Sequence, residues 1–334
     1  MAQHFLKTAA ARSLSLAQVM RMTDAEAETL FRQVRWPDTN GEPVCPECGS
    51  TKLYDCRRPN GTPRWRCAEK ECRAEFTITS GTIFASRKLP LRTYLAAVAI
   101  FCNEVKGKSM LALSRDLGVQ YKVAFVLAHK MREAMSADTH GLKIGGENKE
   151  AEIDGAYFGG YVKPANRKAE RKDRRLLENQ SGKRQVVVVA RERGGRTLAQ
   201  VFPTEAAGVA FIRERVAAGT HLHADEAGGW NDLHARYEMV RVNHQEEYRS
   251  ADGACTNVAE SFFSRMRRAE IGHHHHVSGP YLIRFAQEAA WREDNRRLAN
   301  GEQVRAVATL AMRCGKSEQF CGYWERSEKN DAAQ

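Results

Sequence analysis

Ala151-Glu152-Ile153-Asp154-Gly155-Ala156-Tyr157-Phe158-Gly159-Gly160-Tyr161-Val162 reads as a β-strand that carries an acid where a core residue is expected. An unpaired carboxylate inside such a strand is costly, so something cationic should meet Asp154. Glu152 shares the strand face and is the rival for that position, and Gly155 and the strand context do not decide between the two. Outward from this strand, residues 163–185 read as a basic loop, Gln185 to Arg191 as a buried strand and Thr197 to Phe202 as a third strand. Three strands in a row suggest an antiparallel meander.

From Ala206 the pattern changes to helix 206–218, strand His221 to Asp225, short helix Trp230 to Arg236, strand Met239 to Val242 and helix Asn257 to Arg268. This alternation implies parallel crossovers. Asp225 ends its strand, and ligands of open α/β sheets gather at the carboxyl ends of strands. On the last helix Asn257, Glu260, Ser264 and Arg267 fall within about 100° of one another, while Phe262, Met266 and Ala269 share the opposite side. Asp154, Asp225 and Glu260, converging from two strands and a helix, would hold two divalent cations about 3.5–4 Å apart for phosphodiester chemistry. Asn257, one turn before Glu260, is an alternative oxygen ligand.

Toward the N-terminus, Cys45-Pro46-Glu47-Cys48 and Cys67-Ala68-Glu69-Lys70-Glu71-Cys72 are separated by eighteen residues, a spacing that lets two knuckles hold one tetrahedral Zn2+ through four thiolates. Residues 41–80 show no apolar run able to form a core, so the metal is expected to supply most of the stability, and Cys56 is expected to be a bystander. The same stretch carries Lys52, Arg57, Arg58, Arg64, Arg66, Lys70 and Arg73, a basic face that suits phosphates or plain solvation. Between 89 and 148 the composition turns helical. Ser109 to Leu117, a turn at Gly118-Val119, and Gln120 to Met135 have the short glycine-containing connection of a helix-turn-helix. Leu111, Leu113 and Leu117 are expected to pack on Val123, Val126 and Leu127, leaving Gln120, Tyr121, Lys122 and Lys130 for DNA.

Fifty-two Lys and Arg against forty-one Asp and Glu give a net charge of +11 on 334 residues, which favours a polyanionic partner. The basic loop 161–185 alone holds nine Lys and Arg against three acids, and Arg171, Lys172, Arg174 and Arg175 in it suit a DNA clamp. The longest apolar run, Leu95 to Cys102, has eight residues, far below the roughly 20 needed to cross a bilayer. With no apolar signal region at the start, a cytoplasmic protein without a membrane partner is expected.

The order of Cys45-Pro-Glu-Cys48-Gly, Arg64-Trp-Arg-Cys67, Thr79-Ser-Gly-Thr-Ile-Phe84, a helical segment, Asp154-Gly-Ala-Tyr-Phe-Gly-Gly160, His223-Ala-Asp225 and Asn257-Val-Ala-Glu260-Ser-Phe-Phe263 resembles bacterial insertion-sequence DDE transposases of the N-terminal zinc-ribbon subgroup. The resemblance spans roughly residues 15–298. It implies a ribonuclease H-like core with a mixed sheet, Asp154 rather than Glu152 as first acid, and two Mg2+ or Mn2+ held by Asp154, Asp225 and Glu260. It implies that Arg267, seven positions after Glu260, helps hold DNA together with Arg268. His275-His276-Val277-Ser278 also resembles a family segment, and for the run His273 to His276 a DNA-backbone or structural role is preferred over metal.

The expected organisation is a helical leader at 1–40, a zinc ribbon at 41–88, a helix-turn-helix-like segment at 89–148, a catalytic domain at 149–300 and a polar tail at 301–334. The function so implied is binding of terminal inverted repeats in double-stranded DNA, strand cleavage and joining to target DNA, by a homo-oligomer on the bacterial nucleoid. A catalytically silent DNA-binding regulator and a nuclease that does not join strands are the alternatives.

Overall fold

A reciprocal cap starts the first long helix: the Thr23 hydroxyl accepts from the Glu26 N–H, and the Glu26 carboxylate accepts from the Thr23 N–H at 2.7 Å. The structure, a computed structural model, describes residues 4–59, 61–160, 163–173, 179, 182–242, 255–317 and 319–322. The chain divides into two compact units, 1–138 with 297–334, and 139–296.

The first unit opens with α1 (Leu16–Arg21) and α2 (Asp24–Arg35). A three-stranded antiparallel ribbon follows, β1 (Leu53–Asp55), β2 (Trp65–Cys67) and β3 (Glu75–Phe76), in the order β1-β2-β3. Next come α3 (Leu91–Asn103), α4 (Met110–Leu117) and α5 (Tyr121–Ala137). The apolar run Leu95 to Cys102 is a helix buried all round, which explains why it has no polar face. Trp36, Trp65 and Phe76 are buried and in ring contact, Trp36 edge-on to Trp65 at 5.7 Å and Trp65 against Phe76 at 5.8 Å. Of the aromatics Tyr54, Trp65 and Phe76 that the sequence places around the cysteines, Trp65 and Phe76 form the ribbon's small core with Trp36, while Tyr54 is exposed.

The second unit is a five-stranded mixed sheet of order β6-β5-β4-β7-β8. Its strands are β4 (Glu150–Phe158), β5 (Gln185–Glu192), β6 (Thr197–Phe202), β7 (His221–Asp225) and β8 (Glu238–Val242). The first three form the expected antiparallel meander, and β4–β7 and β7–β8 are parallel. The stretch 206–218 is a 3-10 turn, Ala206–Gly208, followed by a short α6 (Val209–Arg215). Alternation along β4 splits the core. Ile153, with Val188 and Leu222, packs toward α6 and Trp230. Ala156 and Phe158, with Val187 and Val189, pack toward Phe262, Phe263 and Met266 of α7 (Asn257–Ala269) and Leu282 and Ala286 of α8 (Gly279–Asn295). Each buried phenylalanine there contributes roughly 1.5–3 kcal/mol of transfer free energy.

The stretch expected to be a polar tail is corrected in its first half. Residues Asn300–Arg313 form α9, which packs with α2, α3 and α5 and buries Val304, Val307, Ala308, Ala311 and Met312. A polar first turn and single apolar residues spaced three and four apart hid this amphipathic helix. Among the described residues, no helix is long and apolar enough to cross a membrane.

Candidate functional site

The ribbon brings Cys45, Cys48, Cys67 and Cys72 together, with all four sulfurs within 4.8 Å of one another. Gly49 makes the first knuckle possible: its backbone is left-handed (φ +73°) and its N–H bonds the Cys45 carbonyl at 2.9 Å. Cys56 stands outside the cluster, as expected. Burial disfavours the Cys45 thiolate, but the N–H groups of Cys48 and Glu47 and the neighbouring thiols together bring its pKa below the ordinary thiol value. The Cys67 thiol is pushed up to about 12, first by burial, with the other three cysteines adding to the rise against a bond from the Glu69 N–H. Four thiols so crowded cannot all ionise alone, whereas a divalent cation stabilises every thiolate at once, so this donor set fits Zn2+.

Two of the ribbon's seven basic side chains are engaged with carboxylates, Arg57 with Glu28 at 3.2 Å and Arg64 with Glu75. Arg66 stacks on exposed Tyr54 at 5.4 Å. In the helical pair, Ser109 caps α4, Gly118 ends it in the left-handed region (φ +62°), and Gln120 starts α5. Gln120, Tyr121 and Lys122 are exposed at the start of α5. Lys130 is corrected: only 8% of it is exposed, and burial lowers its pKa, so it does not offer a cation to DNA. Leu113 and Leu127 are buried as expected, but Leu111 and Val123 are exposed, because the pair packs through Leu113, Ala124, Leu127 and Ala128.

In the second unit, β4 and β7 pair in parallel with Glu152 beside His223, and two residues farther along each strand come Asp154 and Asp225. Both acids therefore belong to the sheet face that α7 covers. Asp154 accepts from the Gly155 N–H at 2.7 Å. Its pKa is raised to about 7, first by burial, then by the Asp225 charge, with Glu260 and Glu205 contributing. Asp225 Oδ1 accepts from the Trp230 indole at 3.1 Å and from the Ala227 N–H at 3.2 Å. The three acids stand wider than the cysteines, since among the described residues only the four cysteines converge within 4.8 Å.

Glu152 is fully buried and does something else. It accepts from the N–H groups of Val258 at 2.7 Å and Ala259 at 3.0 Å, and from Arg193 Nε at 2.9 Å. Arg193 also donates to the Cys255 carbonyl at 3.1 Å, and Arg191 to the Val258 carbonyl at 3.0 Å. Glu152 is thus a cap for α7, the helix that carries Glu260, and the cation it needs is Arg193. Arg267 and Arg268 are exposed near the end of α7, with Arg267 over the Phe158 ring at 5.7 Å. Asn257 is exposed at the first position of that helix. Arg171 and Lys172 are exposed, whereas Arg174 and Arg175 lie outside the described residues.

Glu205 was not singled out by the sequence, yet it belongs to this acidic neighbourhood. A Cβ on Gly155 would lie 2.7 Å from Glu205 Cγ and 2.8 Å from Oε1, so the carboxylate lies against bare strand backbone beside Asp154. Burial raises the Glu205 pKa, and Asp225 adds to it. The available signal was Gly155 itself, since a glycine inside a strand marks a close approach.

The stretch of sequence that carries this sheet, its two strand acids and the acid of α7 matches a known domain. Residues 145–294 match the ISXO2-like transposase domain, and residues 22–75 match the transposase zinc-ribbon domain. The chain carries an ISXO2-like DDE transposase domain and a transposase zinc-ribbon domain. In this transposase the ribbon's cysteine cluster coincides with the zinc-ribbon match, and all three acids fall inside the transposase-domain match. The fold reading of zinc ribbon, helices and ribonuclease H-like mixed sheet therefore holds, and the transposase domain implies polynucleotidyl transfer. No curated protein and no solved structure shows significant similarity to the chain.

Proposed function

We propose that this transposase binds the terminal inverted repeats of its own element, cleaves DNA at their ends and joins the freed 3′ hydroxyls to target DNA. Asp154, Asp225 and Glu260 would hold Mg2+ or Mn2+, and the single observation carrying this is geometric: parallel β4–β7 pairing sets Asp154 and Asp225 side by side on the sheet face against which α7, the helix of Glu260, packs. Such a donor set of hard oxygens fits these cations. When bound, the metals supply charge stabilisation for the attacking and leaving oxygens of a phosphodiester.

The chain's own groups do the rest. Glu152 and Arg193 hold the start of α7, one residue before Glu260, against β4. In hydrolysis water adds to phosphorus, the bond to the 3′ oxygen breaks, and a 3′ hydroxyl and a 5′ phosphate result. In joining, that hydroxyl adds to a target phosphodiester and displaces another 3′ oxygen. Exposed Arg267 and Arg268, Arg171 and Lys172, and Gln120, Tyr121 and Lys122 would meet the DNA, and Zn2+ on the four cysteines would hold the ribbon. A homo-oligomer would bring two ends together.

The test is product analysis on linear DNA that carries the element's own ends, with Mg2+ and a target plasmid. Nicked ends plus covalently joined plasmid support transposition. Cleavage without any joined product would make the protein a nuclease, and stable binding without cleavage would make it a silent regulator.

A further inference from the structure

Where β4 ends, the second unit opens into a cleft of about 970 Å³. Lys183, Arg184, His275 and His276 line it, with Gly159 and the start of α8 at Gly279 completing the wall. Among the described residues that line it there is no Asp or Glu and no phenyl, phenol or indole ring. Glu270 lies near His276 outside the lining and accepts from the Val277 N–H.

The walls are fixed by local backbone chemistry. Gly159 is left-handed (φ +74°), which turns the chain out of β4 and leaves the cleft open. A π-helical turn, Glu270–His274, follows α7, and His275 after it is also left-handed (φ +57°), a conformation that costs a side-chain-bearing residue energy. That turn delivers His275 and His276 to the cleft just before Ser278, whose side chain makes no cap bond, and the partial positive charge at the start of the seventeen-residue α8. Arg184 is positioned by stacking over the Tyr157 ring at 5.2 Å.

Resting on the DNA reading above, we propose that this cleft is a subsite for the phosphodiester backbone of the DNA being cleaved. Cations, imidazoles and a helix start suit backbone contacts that position a duplex and carry no sequence information. Gly159 lies five positions after Asp154, just past the end of β4, a rise of about 17 Å at about 3.4 Å per residue, which corresponds to about five base pairs of a B-form duplex lying along the strand. The subsite thus grips DNA on the order of five pairs from the bond cut at Asp154.

The experiment is a salt titration of binding to a fluorescent 30-base-pair duplex by the full-length protein, its K183Q/R184Q and H275N/H276N variants, and K143Q, a control that removes one positive charge outside the cleft. Loss of two phosphate contacts should flatten the slope of log K against log salt by about 1.8 for K183Q/R184Q and leave K143Q at the wild-type slope. The histidine variant should bind more weakly at every salt concentration, with melting temperatures unchanged. On an end whose cut site is mapped, a neutral methylphosphonate about five pairs away should erase the difference between wild type and K183Q/R184Q. A wild-type slope in both cleft variants overturns the subsite while leaving the DNA reading intact. Wild-type protein that binds no duplex overturns both, and saturable binding of inorganic phosphate with unchanged DNA slopes reassigns the cleft to small anions.

Discussion

Glu152 and Ala259 are joined by a 3.0 Å hydrogen bond that fastens the start of α7 to β4. The carboxylate is fully buried and also holds the Val258 N–H and Arg193, so one side chain fixes the helix that carries Glu260 to the strand that carries Asp154. Removing one partner of a buried charged pair costs about 3–5 kcal/mol, but Arg193 keeps its ion pair with Glu150 and is partly exposed, so about 3 kcal/mol or less is expected here. Glu152→Ala should therefore lower unfolding free energy by that order in urea titrations. Glu152→Gln, which keeps an acceptor oxygen, should lose less. A Glu152→Ala protein as stable as wild type would show that the cap is dispensable.

The zinc ribbon gives a metal-specific expectation. Purified protein should carry about one equivalent of zinc, and strong chelators should expose Trp65, which packs between Trp36 and Phe76, giving a red-shifted tryptophan emission. Cys48→Ser should shift emission without chelator. Zinc-free protein with an unshifted spectrum would contradict this.

Asp154 sets a pH dependence. Its folded pKa, about 7, lies above the ordinary carboxylate value near 3.9, so the folded metal-free chain keeps a proton that the unfolded chain releases. Stability should fall as pH rises from about 4 through about 7 and then level off. Because Glu205, Glu270 and Asp294 are also raised, the readout is the difference between wild type and Asp154→Asn in melting temperature at pH 5 and pH 8. Asp154→Asn should gain on wild type at pH 8 without metal, and Mg2+ should remove the gap. Parallel curves would place Asp154 in solvent.

At the helical pair, Lys122→Gln should flatten the salt slope of DNA binding by about one, whereas Lys130→Gln should leave it unchanged, since Lys130 is buried. The opposite ranking, measured by anisotropy, would turn α5 around on the DNA.

Spacing made much of this legible. The four cysteines announce their cluster by interval alone, and the antiparallel meander and the parallel crossovers follow from a run of three strands and then an alternation. What escaped was tertiary. Glu152 and Asp154 share a face and a charge, so periodicity does not tell a helix cap from a metal ligand; the family resemblance points to Asp154, and Arg193 with the N–H groups of α7 supplies the physical role of Glu152. Lys130 and Arg132 look like surface cations on α5, yet both are buried. Glu205 lies fifty residues from Gly155 in sequence and meets it only in the folded sheet.

The central claim is that Asp154, Asp225 and Glu260 together perform metal-dependent strand chemistry. Asp154→Asn, Asp225→Asn and Glu260→Gln, each assayed with Mg2+ on DNA carrying the element's ends, should lose cleavage and joining by at least a hundredfold while binding that DNA as tightly as wild type. Full activity in Glu260→Gln with loss in Asn257→Ala would move the third ligand one helical turn, and full activity in Asp154→Asn or Asp225→Asn would contradict the account.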